Sequence, residues 1–184
     1  MNLISKSTFF VVATLALIAL QSPRDLNAQD TAKPVFSSPT VDLGIVVGDM
    51  DASAKFYTEA LGVTETKGFT ATAEKATAFG LTDNRKAVIR VFVLGEGPGS
   101  TKLKLMSFPK AKPATPDQKF IHSTLGVSYL TLRVSDMDAA VERLKKAGVK
   151  LLGKTPASLG GDNYLTTVQD PDGNFIELIG PMKK

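Results

Sequence analysis

The feature that most constrains this chain is that it repeats itself. Residues 41–52 (VDLGIVVGDMDA) are matched 87 positions later by residues 128–139 (SYLTLRVSDMDA). Both segments place apolar residues at alternate positions and then run into Asp-Met-Asp-Ala. A repeat of this kind means two copies of one supersecondary unit. The alternation predicts a strand in each copy, with Leu43, Ile45 and Val47 sharing one face and Leu130, Leu132 and Val134 sharing the equivalent one. Asp49 and Asp136 then stand where a helix wants an N-cap, a carboxylate that accepts the free amides of the first turn. Met50, Ala54, Tyr57 and Leu61 make an apolar stripe at helical spacing, and Met137, Ala140, Val141 and Leu144 make its counterpart. Gly62 and Gly148 close the two helices at positions suited to a left-handed residue.

Beyond each helix the period falls to two. Residues 87–94 and 102–108 read as strands around Gly95-Glu96-Gly97-Pro98-Gly99. In the second copy, 149–152 reads as a short strand, and 164–169 and 175–179 as a hairpin about Asp170-Pro171-Asp172-Gly173. In that turn Pro presets the first corner and Gly tolerates positive φ at the exit. Residues 70–82 read as a short helical insertion of the first copy. Each unit is therefore strand–helix–strand–strand–strand. A unit of about 55 residues buries too little surface to be comfortably stable alone, so two should pack together. The expected organisation is an export signal over 1–28, a linker over 29–40, a first βαβββ module over 41–109, an inter-module linker over 110–126 and a second module over 127–181.

The signal expectation rests on Lys6, the uncharged run from Thr8 to Leu20, and the small residue ending Leu26-Asn27-Ala28. The run has 13 residues, short of the ~20 that cross a bilayer. Cleavage near Ala28 would leave a periplasmic or extracellular chain with no stable membrane insertion; an uncleaved anchor and a buried helix are the competing readings. The chain has no Cys, which excludes disulfides, thiolate zinc sites, iron–sulfur clusters and a cysteine nucleophile. One His excludes sites built from two or three imidazoles. A net charge of +4 without a cluster of Lys and Arg does not point to nucleic acid as a partner.

The duplicated Asp-Met-Asp opening, the Phe56-Tyr57-Thr58-Glu59-Ala60-Leu61-Gly62 run and the Asp170-Pro171-Asp172-Gly173-Asn174-Phe175-Ile176-Glu177-Leu178 run together resemble the vicinal-oxygen-chelate superfamily. That superfamily contains glyoxalase I, bleomycin-resistance proteins, fosfomycin-modifying enzymes and extradiol dioxygenases. The resemblance spans roughly residues 41–180. It implies an α+β fold, two tandem βαβββ modules forming a cupped mixed sheet around a small-molecule site. In metal-using members, ligands come from the opening strand and the last strand of each module. Carried over, those positions are Asp42, Lys104, Tyr129 and Glu177, and Glu177 alone keeps the family's residue type.

A divalent ion wants three or four lone-pair donors with room for substrate. Lys104 offers an ammonium, which has no lone pair and repels the ion. Asp42 and Glu177 remain as candidate metal ligands and by themselves would hold a cation weakly. The expectation is that Lys104 sits between Asp42 and Glu177 at the floor of the cup. There it supplies the positive charge that a metal supplies elsewhere, as a structural replacement or to orient an anionic or carbonyl-bearing ligand. Tyr129 could donate a phenol hydrogen bond into the cup or fill space there. His122 reads as a linker histidine, and Arg90 and Arg133 as solvent-exposed strand residues. Three functions fit these residues. The first is an exported protein, monomer or homodimer, binding a small, partly apolar molecule without a cofactor. The second is a divalent-metal-dependent lyase, isomerase or dioxygenase with an unusual ligand set. The third is a fold retained as an assembly partner.

Overall fold

The structure, a computed structural model, describes residues 35–183. The expected export signal over 1–28 lies outside the described residues. In the first module β1 (Leu43–Val46) leads into α1 (Met50–Lys55), which continues as a π-helical turn over Phe56–Ala60. There follow β2 (Thr64–Ala71), α2 (Ala73–Ala78), β3 (Ala87–Val93) and β4 (Lys102–Ser107). The second module runs β5 (Tyr129–Arg133), α3 (Met137–Lys146), β6 (Ala157–Gly160), β7 (Asn163–Gln169) and β8 (Phe175–Pro181). The sheet orders are β1-β4-β3-β2 and β5-β8-β7-β6, the same topology twice. In each sheet the opening strand runs parallel to the last and the remaining pairs are antiparallel.

The local signals act as the sequence requires. Asp49 Oδ1 accepts the amides of Asp51 and Ala52, and Asp136 Oδ1 accepts that of Ala139. Gly62 and Gly148 end their helices at φ +80° and +72°. All four residues of the second stripe are buried; in the first, Ala54, Tyr57 and Leu61 are buried and Met50 is half-buried. One apolar cluster joins the two helical layers, with Phe56, Tyr57 and Leu61 sharing a core with Leu132, Met137, Val141 and Val168. The modules therefore pack on each other within one chain.

Three elements depart from the expectation. The helical insertion shrinks to α2, because residues 64–71 form β2. Six of that strand's eight residues are exposed, so it carries no alternation to read. Its register slips between Thr66 and Phe69, and a Cβ on the intervening Gly68 would lie 2.3 Å from the carbonyl oxygen of Ile89, so the bulge demands glycine. Residues 149–152 do not form a strand. Val149 and Leu151 pack against the core as coil, and the edge strand is the later, fully exposed β6. The π turn was also unanticipated: Leu61 donates its amide to Phe56, while the Thr58 hydroxyl back-bonds to the Ala54 carbonyl at 2.9 Å.

Candidate functional site

Asp42 and Lys104 meet because β1 and β4 lie side by side. Gly44 is the register partner of Lys104, so the residue two before it reaches the same face of the sheet. Lys104 Nζ lies 3.0 Å from Asp42 Oδ2, and Asp42 Oδ1 accepts the Lys102 amide at 3.1 Å. Both oxygens of the carboxylate are thus engaged. The Lys104 ammonium, helped by the Lys102 amide, holds the Asp42 carboxyl below the usual carboxylate range. Each side chain of the pair remains about one-third exposed, at 35% for Lys104 and 34% for Asp42.

The second module repeats this geometry with different chemistry. Thr131 is the register partner of Glu177 and donates its hydroxyl to Glu177 Oε2 at 2.9 Å. Among the described residues, Glu177 makes no ion pair within 4.0 Å with Lys104 or any other cation. The expectation that Lys104 bridges Asp42 and Glu177 is corrected: the ammonium is held by the carboxylate of its own sheet, and Glu177 by the hydroxyl of its own. Tyr129 is half exposed and faces Phe175 in register.

Between the two sheets lies a cavity of about 400 Å³. Its walls are residues 43–46 of β1, residues 127–130 entering β5, residues 174–176 around the start of β8, and Tyr57 behind them. Tyr129 is the member of the four expected positions that lines it. Lys104 stands one strand away, beside the cavity residue Gly44.

The far side of the cavity is tied across the modules. Tyr57 is fully buried and donates its hydroxyl to Asp170 Oδ2 at 3.0 Å. Asp170 also accepts the Asn174 side-chain amide at 2.9 Å and the backbone amides of Asp172 and Asn174 at 3.0 and 2.8 Å. Asp172 accepts the Gly48 amide and the Ser53 hydroxyl. The turn of the second module thereby clips onto the start of the first helix. Burial first, and then the charges of Asp170 and Asp172, push the Tyr57 phenol far up. The sequence contained these residues only as a helix stripe and a turn, with no signal that they meet.

The remaining candidates stand apart from the cavity. His122 is exposed and stacks on Phe120, 5.5 Å between ring centres. Arg133 is exposed, as expected. Arg90 is not simply solvated: it donates two bonds of 2.6 Å to Glu65 and one of 2.8 Å to Asp51.

The four positions do not fit a divalent ion. One carboxylate is engaged by a lysine and an amide, one position carries an ammonium, one a half-exposed phenol, and Glu177 is a lone carboxylate. Among the described residues, no three His, Cys, Asp or Glu side chains gather where they could hold a metal. No helix among them is long and apolar enough to cross a membrane.

A family model described as Glyoxalase/Bleomycin resistance protein/Dioxygenase superfamily matches residues 40–178. A probable lactoylglutathione lyase of Vibrio parahaemolyticus is 31% identical over 139 residues, covering 72% of this chain and 83% of that protein. Among solved structures, a glyoxalase family protein from Bacillus cereus superposes with a TM-score of 0.68 at 21% identity, covering 83% of this chain and 99% of the other. A glyoxalase/dioxygenase from Nostoc punctiforme gives 0.54 at 20% identity, covering 94% and 99%. At these identities the solved structures speak for the fold: two tandem βαβββ modules.

Proposed function

Because the chain belongs to the Glyoxalase/Bleomycin resistance protein/Dioxygenase superfamily, we propose that it holds a small, partly apolar molecule between its paired modules and does so without a divalent ion. The observation that carries this reading is the Lys104–Asp42 ion pair of 3.0 Å. By the resemblance, this ammonium stands where metal-using relatives have a carboxylate, and it engages the neighbouring Asp42 carboxylate as well. A dication approaching this pair meets repulsion from Lys104 and finds Asp42 already neutralised.

The cavity supports the rest of the reading. Val46, Tyr129 and Phe175 offer apolar and aromatic surface for a ligand's body, a pattern typical of small-molecule sites. Lys104, beside Gly44, is placed to attract an anionic or carbonyl oxygen at the ligand's other end. The working units are the modules over 41–109 and 127–181, in a chain exported by residues 1–28. A second reading, a metal-dependent lyase or dioxygenase of unusual ligand set, is favoured by the retained Glu177 and by the resemblance to a probable lactoylglutathione lyase.

The test is a fluorescence titration of chelator-treated protein with 1-anilinonaphthalene-8-sulfonate, an aromatic anion of suitable shape. The expected result is saturable binding of one probe per chain, weakened at least tenfold by Val46→Trp, which fills the cavity. Absence of saturable binding overturns the reading. Binding that emerges only when Zn²⁺, Ni²⁺ or Mn²⁺ is added favours the metal-dependent alternative.

A further inference from the structure

The two walls of the cavity are strand edges, and this sets the chemistry of what fits between them. β1 ends one sheet and β5 ends the other; among the described residues each is paired on one side, β1 with β4 and β5 with β8. Val47 donates its amide to Met106 at 3.0 Å, and Val134 donates its amide to Ile179 at 2.9 Å. Along a strand, successive residues turn their backbone N–H and C=O groups to opposite sides. If Val47 and Val134 face their own sheets, then Gly44 and Val46 on β1, and Tyr129 and Thr131 on β5, turn theirs toward the seam. Two rows of donors and acceptors therefore face each other across the cavity, and Gly44, Val46 and Tyr129 also line it.

The two edges do not pair with each other. Paired strands lie about 4.8 Å apart, so a strand inserted between two others holds its flankers roughly 9.5 Å apart. Few Cα atoms of β1 and β5 approach within 8 Å of one another, and no ladder joins the two strands. Polar backbone groups beside apolar walls need partners, supplied by water or by a ligand. A compact hydrocarbon cannot satisfy both rows. An extended peptide can, because it carries donors and acceptors on both edges while its alternate side chains enter pockets.

We infer that the seam between β1 and β5 is a binding site for an extended peptide segment, which adds as a strand and bonds to both modules at once. The inference rests on the reading that the cavity is the ligand site, and it names the class of ligand. β1 has 4 residues, a length of about 13 Å at ~3.3 Å per residue, so a segment of three to four residues fills the gap. The half-exposed Tyr129 and Val46 flank the segment's side chains. A strand held this way bridges the two sheets into a continuous one and removes both exposed edges.

The experiment titrates the ¹⁵N-labelled protein with acetyl-Thr-Val-Thr-Val-amide, and in parallel with the same peptide N-methylated at alternate residues. N-methylation keeps the side chains and removes the strand donors on one edge. The expected result is saturable binding of the parent peptide and at least 30-fold weaker binding of the methylated one. The amide resonances of Gly44, Val46, Tyr129 and Thr131 should shift and exchange more slowly with solvent. Equal binding of both peptides, or shifts confined to residues away from the seam, overturns the inference. If the naphthalene sulfonate probe binds and neither peptide does, the peptide site is refuted while the small-molecule reading stands. If none of the three binds, both fall.

Discussion

Replacing Tyr57 by Phe tests the clip that joins the modules. The ring stays, so no cavity opens; only the hydroxyl leaves Asp170, itself 5% exposed. A hydrogen bond to a charged group contributes about 1.5–3 kcal/mol net. Asp170 keeps three other donors, the Asn174 side chain and the amides of Asp172 and Asn174, which moves the expected cost to about 2 kcal/mol. In a domain of this size that lowers Tm by roughly 4–8 °C. The pH dependence adds a second signature. Burial raises the Tyr57 phenol in the folded state above its unfolded value. Below pH ~10 both states keep the proton, and this contribution to stability is fully present. Above pH ~10 the unfolded chain releases the proton and the folded chain does not, so the wild type loses about 1.4 kcal/mol per pH unit through this residue. The Phe variant has nothing to lose there. Urea unfolding followed by far-UV circular dichroism at pH 7 and pH 11 should therefore show a gap that narrows at high pH. A variant within 0.5 kcal/mol of wild type at pH 7 (on the order of the error of such unfolding measurements), or a gap independent of pH, refutes the reasoning.

Two further perturbations probe the sheets. Lys104→Met removes the donor that lowers Asp42, so the Asp42 carboxyl, followed by NMR, should titrate closer to its ordinary range. In the wild type the stabilising share of that pair is present above the ordinary carboxylate pKa and fades as pH falls through the lowered folded value; in the variant, which keeps the Lys102 amide, this acid dependence should be smaller. Gly180→Ala puts a Cβ 2.1 Å from the carbonyl oxygen of Val134 and 2.8 Å from its Cγ2. Backbone cannot yield as a side-chain tip can, so the substitution should cost about 3 kcal/mol or more by denaturant unfolding.

What could be read from the chain divides along a physical line. The duplicated strand–helix openings were legible because one face of each is buried, and burial writes alternation and helical stripes into sequence. β2 and β6 were not legible because most or all of their residues are exposed, so pairing alone defines them. The Asp42–Lys104 contact followed from neighbouring strands in one sheet. The absence of a Lys104–Glu177 contact depends on the distance across the seam, a tertiary quantity that no local pattern records. Tyr57 and Asp170, 113 positions apart, each had a sufficient local role as stripe and turn residue, and these roles masked their meeting. A cup was expected from the resemblance, but the placement of the cavity along the seam was not legible for a related reason: it is walled by strand edges, and backbone edges leave no mark on residue type.

The central claim is that an ammonium stands in for a metal ligand beside the cavity. Isothermal titration calorimetry of the wild type and of Lys104→Glu with Zn²⁺, Ni²⁺ and Mn²⁺ tests it most directly. The account predicts no stoichiometric site in the wild type, and binding gained in the variant, where a carboxylate replaces the cation and Asp42 is released. One ion bound per wild-type chain at micromolar affinity, lost on Glu177→Gln, would contradict it.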